Sequence, residues 1–216
     1  MIVGMWMTRD PVSIDPAEPI AAAAQLMVSR HIRRIPVTER RPDGLHVVGI
    51  VTSRDLFRAT PGDVNPLAVL APQLLSREVL VADVMSRRPI TTTPDAPIEE
   101  PARVMRDQKF GGIPVVEKGV LVGIITESDI FRAFVAMLES PSGSARITFG
   151  VARGEDIFGL MHRLATPRNV RVVAFNTALH HEQPVCVVRV AGGDLEAFLD
   201  DVWKSGHHVM NVLRIP

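Results

Sequence analysis

The chain has 216 residues, 24 Lys plus Arg against 24 Asp plus Glu, 46% hydrophobic and 22% charged residues, and a pI near 7.1. That balance excludes a general nucleic-acid binder, which needs a cationic surface to release counterions, and leaves room only for a local basic patch; the composition also excludes disorder and collagen-like repeats. A lone Cys186 excludes an intrachain disulfide and a four-cysteine zinc site, and it fits a reducing compartment.

From the start, residues 1–7 are apolar but lack a cationic lead-in or a small-residue cleavage site, so no export signal is expected. The longest apolar runs, such as 120–125, fall far short of the ~20 residues that cross a bilayer. A soluble, cytoplasmic protein with no membrane partner is expected. Self-comparison then organises the first two thirds. Residues 3–38 shifted by 78 match 81–116 at 12 of 36 positions, and 47–60 shifted by 74 match 121–134 at 8 of 14. The pattern within each copy is strand, helix, strand, strand, helix. Val12 to Ile14 is a short extended run, and Ile20, Ala23, Ala24 and Met27 share one helical face. Ile98, Pro101, Ala102 and Met105 share the equivalent face, with Pro101 either in the first turn or at a kink. Arg34 to Thr38 and Gly112 to Val116 predict strands, followed by 47–51 and 121–125, whose apolar continuity predicts strands covered on both sides. Two such small sheets are expected to pack as one module. The stretch 61–80 is predicted to be a connector, and 139–144, with Pro141-Ser142-Gly143-Ser144, a linker.

After the linker the pattern changes. Ile147, Phe149 and Val151 alternate as a strand, 157–164 carry a helical face, and 170–175 and 185–190 predict strands around a polar 176–183 loop. Leu195 to Trp203 follow the helical period, Gly206 is a stop, and 209–213 predict a last strand. This is the split βαβ order, an antiparallel sheet with two helices on one face.

The most chemical feature is Gly49-Ile50-Val51-Thr52-Ser53-Arg54-Asp55, repeated as Gly123-Ile124-Ile125-Thr126-Glu127-Ser128-Asp129. Thr at the helix start with Asp three residues on is a capping box. The same geometry suits a nucleotide: free N–H groups and the Thr hydroxyl meet phosphate, and the Asp carboxylate accepts from both hydroxyls of a ribose. Both readings stand on sequence alone. Arg33-Arg34 precede Ile35-Pro36 in the first copy, whereas Gly111-Gly112 precede Ile113-Pro114 in the second; arginine pairs phosphate, and glycine lets a flat base approach the backbone or makes a tight turn. His180-His181 and His207-His208 are poor chelators, because neighbours in a strand point to opposite faces. Cys186 lies in an apolar run that suits a buried, inert thiol. No nucleophile elbow, paired-carboxylate or Walker pattern is present, so no enzyme activity and no catalytic cofactor is expected.

The doubled unit, with Ile-Pro-Val in mid-repeat and G-I-x-T-x-x-D at its end, resembles a pair of CBS domains over roughly residues 1–138, and 145–214 resemble an ACT domain. The order resembles the acetoin-utilisation protein B family. The resemblance implies an α+β fold: CBS repeats at 1–60 and 81–138, each β-α-β-β-α, packed as one module, plus a ferredoxin-like βαββαβ ACT domain over 145–216. It implies a regulatory ligand, an adenine nucleotide or related adenosyl compound, in the cleft between the repeats. Carried over by position, Asp55 and Asp129 hold ribose; Thr52, Thr126, Arg54 and Arg34 meet phosphate; and Val12, Ile14, Ile35, Ile90, Thr92, Gly112 and Ile113 line the base, although these last are equally good core residues. Ser128 replaces Arg54 in the second copy, so unequal sites are expected. In 155–159 the Gly of the amino-acid-binding ACT motif is kept and its Pro is absent, which favours dimerisation over amino-acid sensing. The implied protein is a homodimeric sensor whose partner is a metabolic enzyme such as a deacetylase; the rivals are an assembly module with an empty cleft and a metal-dependent hydrolase.

Overall fold

A computed structural model describes residues 1–60, 65–68, 79–139 and 141–216. Most of the predicted 61–80 connector lies outside the described residues. The chain divides into two compact units, Met1–Met137 and Leu138–Pro216.

In the first unit the apolar stripe decides the first helix. α1, Ile20–Ser29, buries the four predicted residues Ile20, Ala23, Ala24 and Met27. Strands β1, Thr8–Arg9, β2, Arg34–Arg41, and β3, Gly44–Thr52, then lead into the short α2, Ser53–Ala59. The second copy repeats this with α3, Val81–Val84, β4, Ser86–Arg87, α4, Glu99–Gln108, β5, Gly112–Glu117, β6, Val120–Thr126, and α5, Glu127–Leu138. Pro101 is the third residue of α4 and is buried, so it occupies the first turn, where its missing N–H breaks no helical bond.

β2 pairs β3 and β5 pairs β6 as antiparallel hairpins. Their first strands exchange partners. β1, from the first copy, pairs β6 of the second, and β4, from the second, pairs β3 of the first. The cores exchange likewise: Val81 is fully buried with Ile20, Ile35 and Leu56, whereas Val3 and Met7 are buried with Met105, Ile113 and Ile125. Each such side chain is worth about 1.5–3 kcal/mol of burial, so neither half is complete without the other. Gly49 and Gly123 make the exchange fit. A Cβ on Gly49 would lie 2.4 Å from Met85 Sδ, and one on Gly123 would lie 2.6 Å from Met7 Sδ.

One correction follows from burial. β2, over Ile35–Thr38, and β5, over Gly112–Val115, are each buried along four consecutive residues, whereas the more apolar 47–51 is buried only at Gly49 and Val51 and 121–125 only over Gly123–Ile125. Ile14 and Thr92 bridge in parallel to Val37 and Val115, which closes the second edge of each Ile-Pro-Val strand. The shorter apolar run is the better covered one.

The second unit contains β7, Ser144–Gly150, α6, Ile157–Ala165, β8, Arg171–His180, β9, Gln183–Ala191, α7, Leu195–Lys204, and β10, Val209–Ile215. Its antiparallel sheet has the order β10-β7-β9-β8, the ferredoxin-like arrangement. Ile147 and Phe149 of β7, Val188 and Val190 of β9, Leu160 of α6 and Phe198 of α7 share one core. Gly206 has φ +77 just after α7, the left-handed stop its position predicts. The predicted 176–183 loop is instead strand: β8 runs to His180 and β9 starts at Gln183, joined through His181 and Glu182, whose φ values of 49 and 65 make a two-residue turn. Polar residues there mark an exposed edge strand. In the predicted linker, Gly143 N–H donates to Ile215 C=O at 2.9 Å and the Ser144 hydroxyl donates to Pro141 C=O, so Gly143 and Ser144 are tied to the second unit's sheet. Among the described residues no helix is long and apolar enough to cross a membrane.

Candidate functional site

β3 ends at Thr52, which places the first Thr and Asp at the start of α2. The Thr52 N–H and hydroxyl both donate to Asp55 Oδ2, at 2.8 and 2.6 Å, and Thr52 Oγ1 accepts from Asp55 N–H at 3.4 Å. Thr126 and Asp129 repeat this at 2.9, 2.7 and 3.4 Å. Both motifs are therefore complete capping boxes. What differs is the other carboxylate oxygen. Asp129 Oδ1 accepts from Arg132 at 2.9 Å, and Asp129 is 5% exposed. Asp55 Oδ1 has no hydrogen bond among the described residues, and Asp55 is half-buried on a cavity wall.

That cavity, of about 530 Å³, lies between the two copies. The first copy contributes Thr52, Arg54, Asp55 and Arg34; the second contributes Ile90 and Gly112. These six are predicted site residues brought together. Asp129, Thr126, Val12 and Thr92 do not line it. Ile14, Ile35 and Ile113, at 5%, 0% and 1% exposure, are core residues and do not line it either. The alternation of β2 turns Ile35 inward while its neighbour Arg34 faces the cleft.

Sequence reasoning missed most of the cavity's charge. Beside Arg34 and Arg54, the first copy adds Arg33 and Arg58, and the second adds Arg87, Arg88 and Lys109. Seven cations face one lining carboxylate, Asp55, in a chain of zero net charge. The 87–88 pair precedes a strand-like Pro-Ile and Lys109 follows a helix end; only the fold carries them to α2. None of the seven is in a salt bridge among the described residues. Burial lowers the Arg34 pKa, Glu127 opposes that, and adjacent Arg33 adds to it. α2 has only seven residues, so its macrodipole is small and anion attraction rests on these side chains rather than on the helix start emphasised in the sequence.

The Gly111-Gly112 pair also has a cause other than a flat base. The Arg34 guanidinium donates to Gly111 C=O, and a Cβ on Gly111 would lie 2.0 Å from Arg34 Nη2. Neither glycine has a positive φ, and Gly111 forms a bend just before β5. Gly112 is the repeat counterpart of Arg34, and His46 likewise pairs its own counterpart Val120. Residues that meet their own counterparts lie on the approximate twofold axis relating the copies. Two arginines there would oppose like charges, and two glycines would leave a void. The flat guanidinium on glycine resolves both.

The remaining polar residues assemble no second centre. His180 and His181 rings touch, 4.3 Å between centroids, because the turn at His181 rotates it out of strand alternation. Among the described residues no group of three His, Cys, Asp or Glu side chains is placed to hold a metal. Burial pushes the Cys186 thiol up to about 11.

Two exchanged α+β repeats around a twofold, with a cationic cleft between them, define a paired-repeat module. The CBS domain family model matches residues 3–62 and again 81–136, and the chain belongs to that family. It is 32% identical over 127 residues to inosine-5'-monophosphate dehydrogenase of Korarchaeum cryptofilum, a match covering 58% of this chain but only 23% of that enzyme. Among solved structures it is similar to CBSX2 in complex with AMP, 27% identical, TM-score 0.52, over 64% of this chain and 98% of that one. A Vibrio cholerae protein named for acetoin utilization (AcuB) is 31% identical, TM-score 0.51, over 65% and 98%. The CBS domain pair of protein MJ0100, in complex with 5'-methylthioadenosine and S-adenosyl-L-methionine, is 26% identical, TM-score 0.51, over 63% and 97%.

Proposed function

We propose that the protein is a regulatory, non-catalytic sensor that binds an adenine nucleotide in the cavity between its CBS repeats. The observation that carries this is the convergence of Asp55, Thr52, Arg54 and Arg34 from one copy with Ile90 and Gly112 from the other around about 530 Å³, a volume typical of small-molecule sites. In this reading Asp55 Oδ1 takes the ribose hydroxyls while Oδ2 stays in the cap, Ile90 packs on the base, and Arg54 with its cationic neighbours takes phosphate. The similarity to pairs solved with AMP and with adenosyl ligands supports it. The Asp129 carboxylate, nearly buried and held by Arg132, makes a second ribose site the weaker assignment.

We read the second unit as an ACT-like dimer contact rather than an amino-acid sensor. Its ferredoxin-like sheet supports the first half. For the second, Asp156 Oδ1 accepts from Gly159 N–H at 2.8 Å, and a Cβ at Gly159 would lie 2.1 Å from Asp156 Oδ2, so this Gly serves the helix cap. A homodimer is further supported by α5, which exposes Phe131 at 67% and Phe134 at 54%. The likeness to the acetoin utilization protein favours a partner enzyme in acetoin or acetyl-CoA metabolism, such as a deacetylase. Signalling requires that ligand bind two states unequally.

Titration calorimetry with AMP, ADP, ATP and S-adenosylmethionine tests the site. Asp55→Ala removes a charge-assisted hydrogen bond and is expected to weaken the best ligand about 10- to 150-fold. Unchanged affinity in that variant, with binding intact in the wild type, refutes the ribose assignment.

A further inference from the structure

The two copies share backbone geometry but not charge. Arg88 and Lys109 have φ of 51 and 58, and their counterparts Asp10 and His31 have 46 and 53. Arg88 N–H donates to Val48 C=O at 3.2 Å, and Asp10 N–H to the equivalent Val122 C=O at 3.3 Å. The twofold therefore carries each side chain of the described cavity onto a counterpart beside Thr126 and Asp129. Arg54 becomes Ser128, Arg88 becomes Asp10, Lys109 becomes His31, and Arg33 and Arg34 become glycines. Only Arg58 and Arg87 keep their charge, as Arg132 and Arg9. Of these, Arg132 is bound to Asp129 and to Trp6 C=O at 3.1 Å. Among the other lining residues, Gln108, Gly111 and Gly112 become Arg30, Arg33 and Arg34, and Ser53 becomes Glu127. Seven cations around one carboxylate are thus replaced by five cations around three carboxylates, Asp10, Glu127 and Asp129.

A cleft lined by one sign of charge with apolar walls focuses its field on the ligand. One phosphate neutralises about two of these charges, and the remainder would repel one another unless further phosphates followed. We propose that the pair holds one ligand per chain, in the cavity beside Asp55, and that this ligand carries a di- or triphosphate tail reaching Arg88 and Lys109. The inference rests on the adenine-nucleotide reading and specifies its tail. Arg88 and Lys109 are exposed and have no salt bridge among the described residues, so they set specificity at small cost to folding.

Calorimetry on the full chain, in chelator, with ATP, AMP and inorganic tripolyphosphate separates the two ideas. Asn is the substitution of choice because it tolerates left-handed backbone. ATP is expected to bind with one site per chain, at least about 10-fold tighter than AMP; Arg88→Asn and Lys109→Asn should each weaken ATP about 10-fold or more and AMP by less than about 3-fold. AMP binding as tightly as ATP overturns the polyphosphate inference and leaves the adenosine reading standing. Tripolyphosphate binding as tightly as ATP does the reverse. Two equal sites per chain overturn the single-ligand inference, and no binding by any of the three defeats both.

Discussion

Asp55 and Asp129 occupy the same place in the same motif, yet only the unshared partners of each carboxylate separate their roles. G-I-x-T-x-x-D is legible in sequence as a cap and as a nucleotide contact; both copies are caps, and the proposed nucleotide contact rests on the second oxygen, which Arg132 takes at one copy and which has no hydrogen bond among the described residues at the other. Both Asp→Ala variants should lose about 0.5–2 kcal/mol of stability through the cap, by chemical denaturation without ligand. Asp129→Ala should lose more, since it also strands Arg132, while nucleotide affinity falls mainly in Asp55→Ala. An equal fall in both would remove the distinction. At Cys186 burial favours the neutral thiol, so the folded pKa, about 11, lies above the unfolded value near 8.5. That contribution is complete below pH 8.5 and is lost as pH rises toward 11. Cys186→Ala should flatten the decline in stability over that window, and the native thiol should resist Ellman's reagent at pH 8.

Elements were most legible where periodicity was strong. The stripes of α1 and α7 and the Gly206 stop are visible in the sequence because one buried face imposes them. The β8–β9 hairpin was not, since an edge strand is polar on its exposed positions and its turn uses His181 and Glu182 in place of glycine. The real glycine requirement lies at Gly49 and Gly123, under Met85 and Met7. Gly49→Val would overpack β3 against β4 and should cost about 1–3 kcal/mol. A double-mutant cycle with Met85→Ala should recover part of that loss, about 0.5–3 kcal/mol of coupling. Strict additivity would show that the two do not collide.

For the molecule as a whole, the duplication was plain in the sequence and the exchange of first strands was not. Shift-matching finds similar residues but is silent on which copy each strand completes. Val3 and Val81 decide it, each buried in the core of the opposite repeat. Native-state hydrogen exchange on Val3→Ala should show lost protection chiefly in β5 and β6, and on Val81→Ala chiefly in α1, β2 and β3. Loss confined to each residue's own repeat would contradict the exchange. The charge of the cleft follows from the same closure, because Arg87, Arg88 and Lys109 reach Asp55 only when the copies face each other across the axis.

A crystal structure of the chain grown with saturating ATP tests the central claim most directly. The account predicts one nucleotide per chain between the repeats, its ribose hydroxyls within hydrogen-bond distance of Asp55 and its phosphates among Arg54, Arg88 and Lys109. A nucleotide bound elsewhere, or a cleft still empty at saturation, would contradict it.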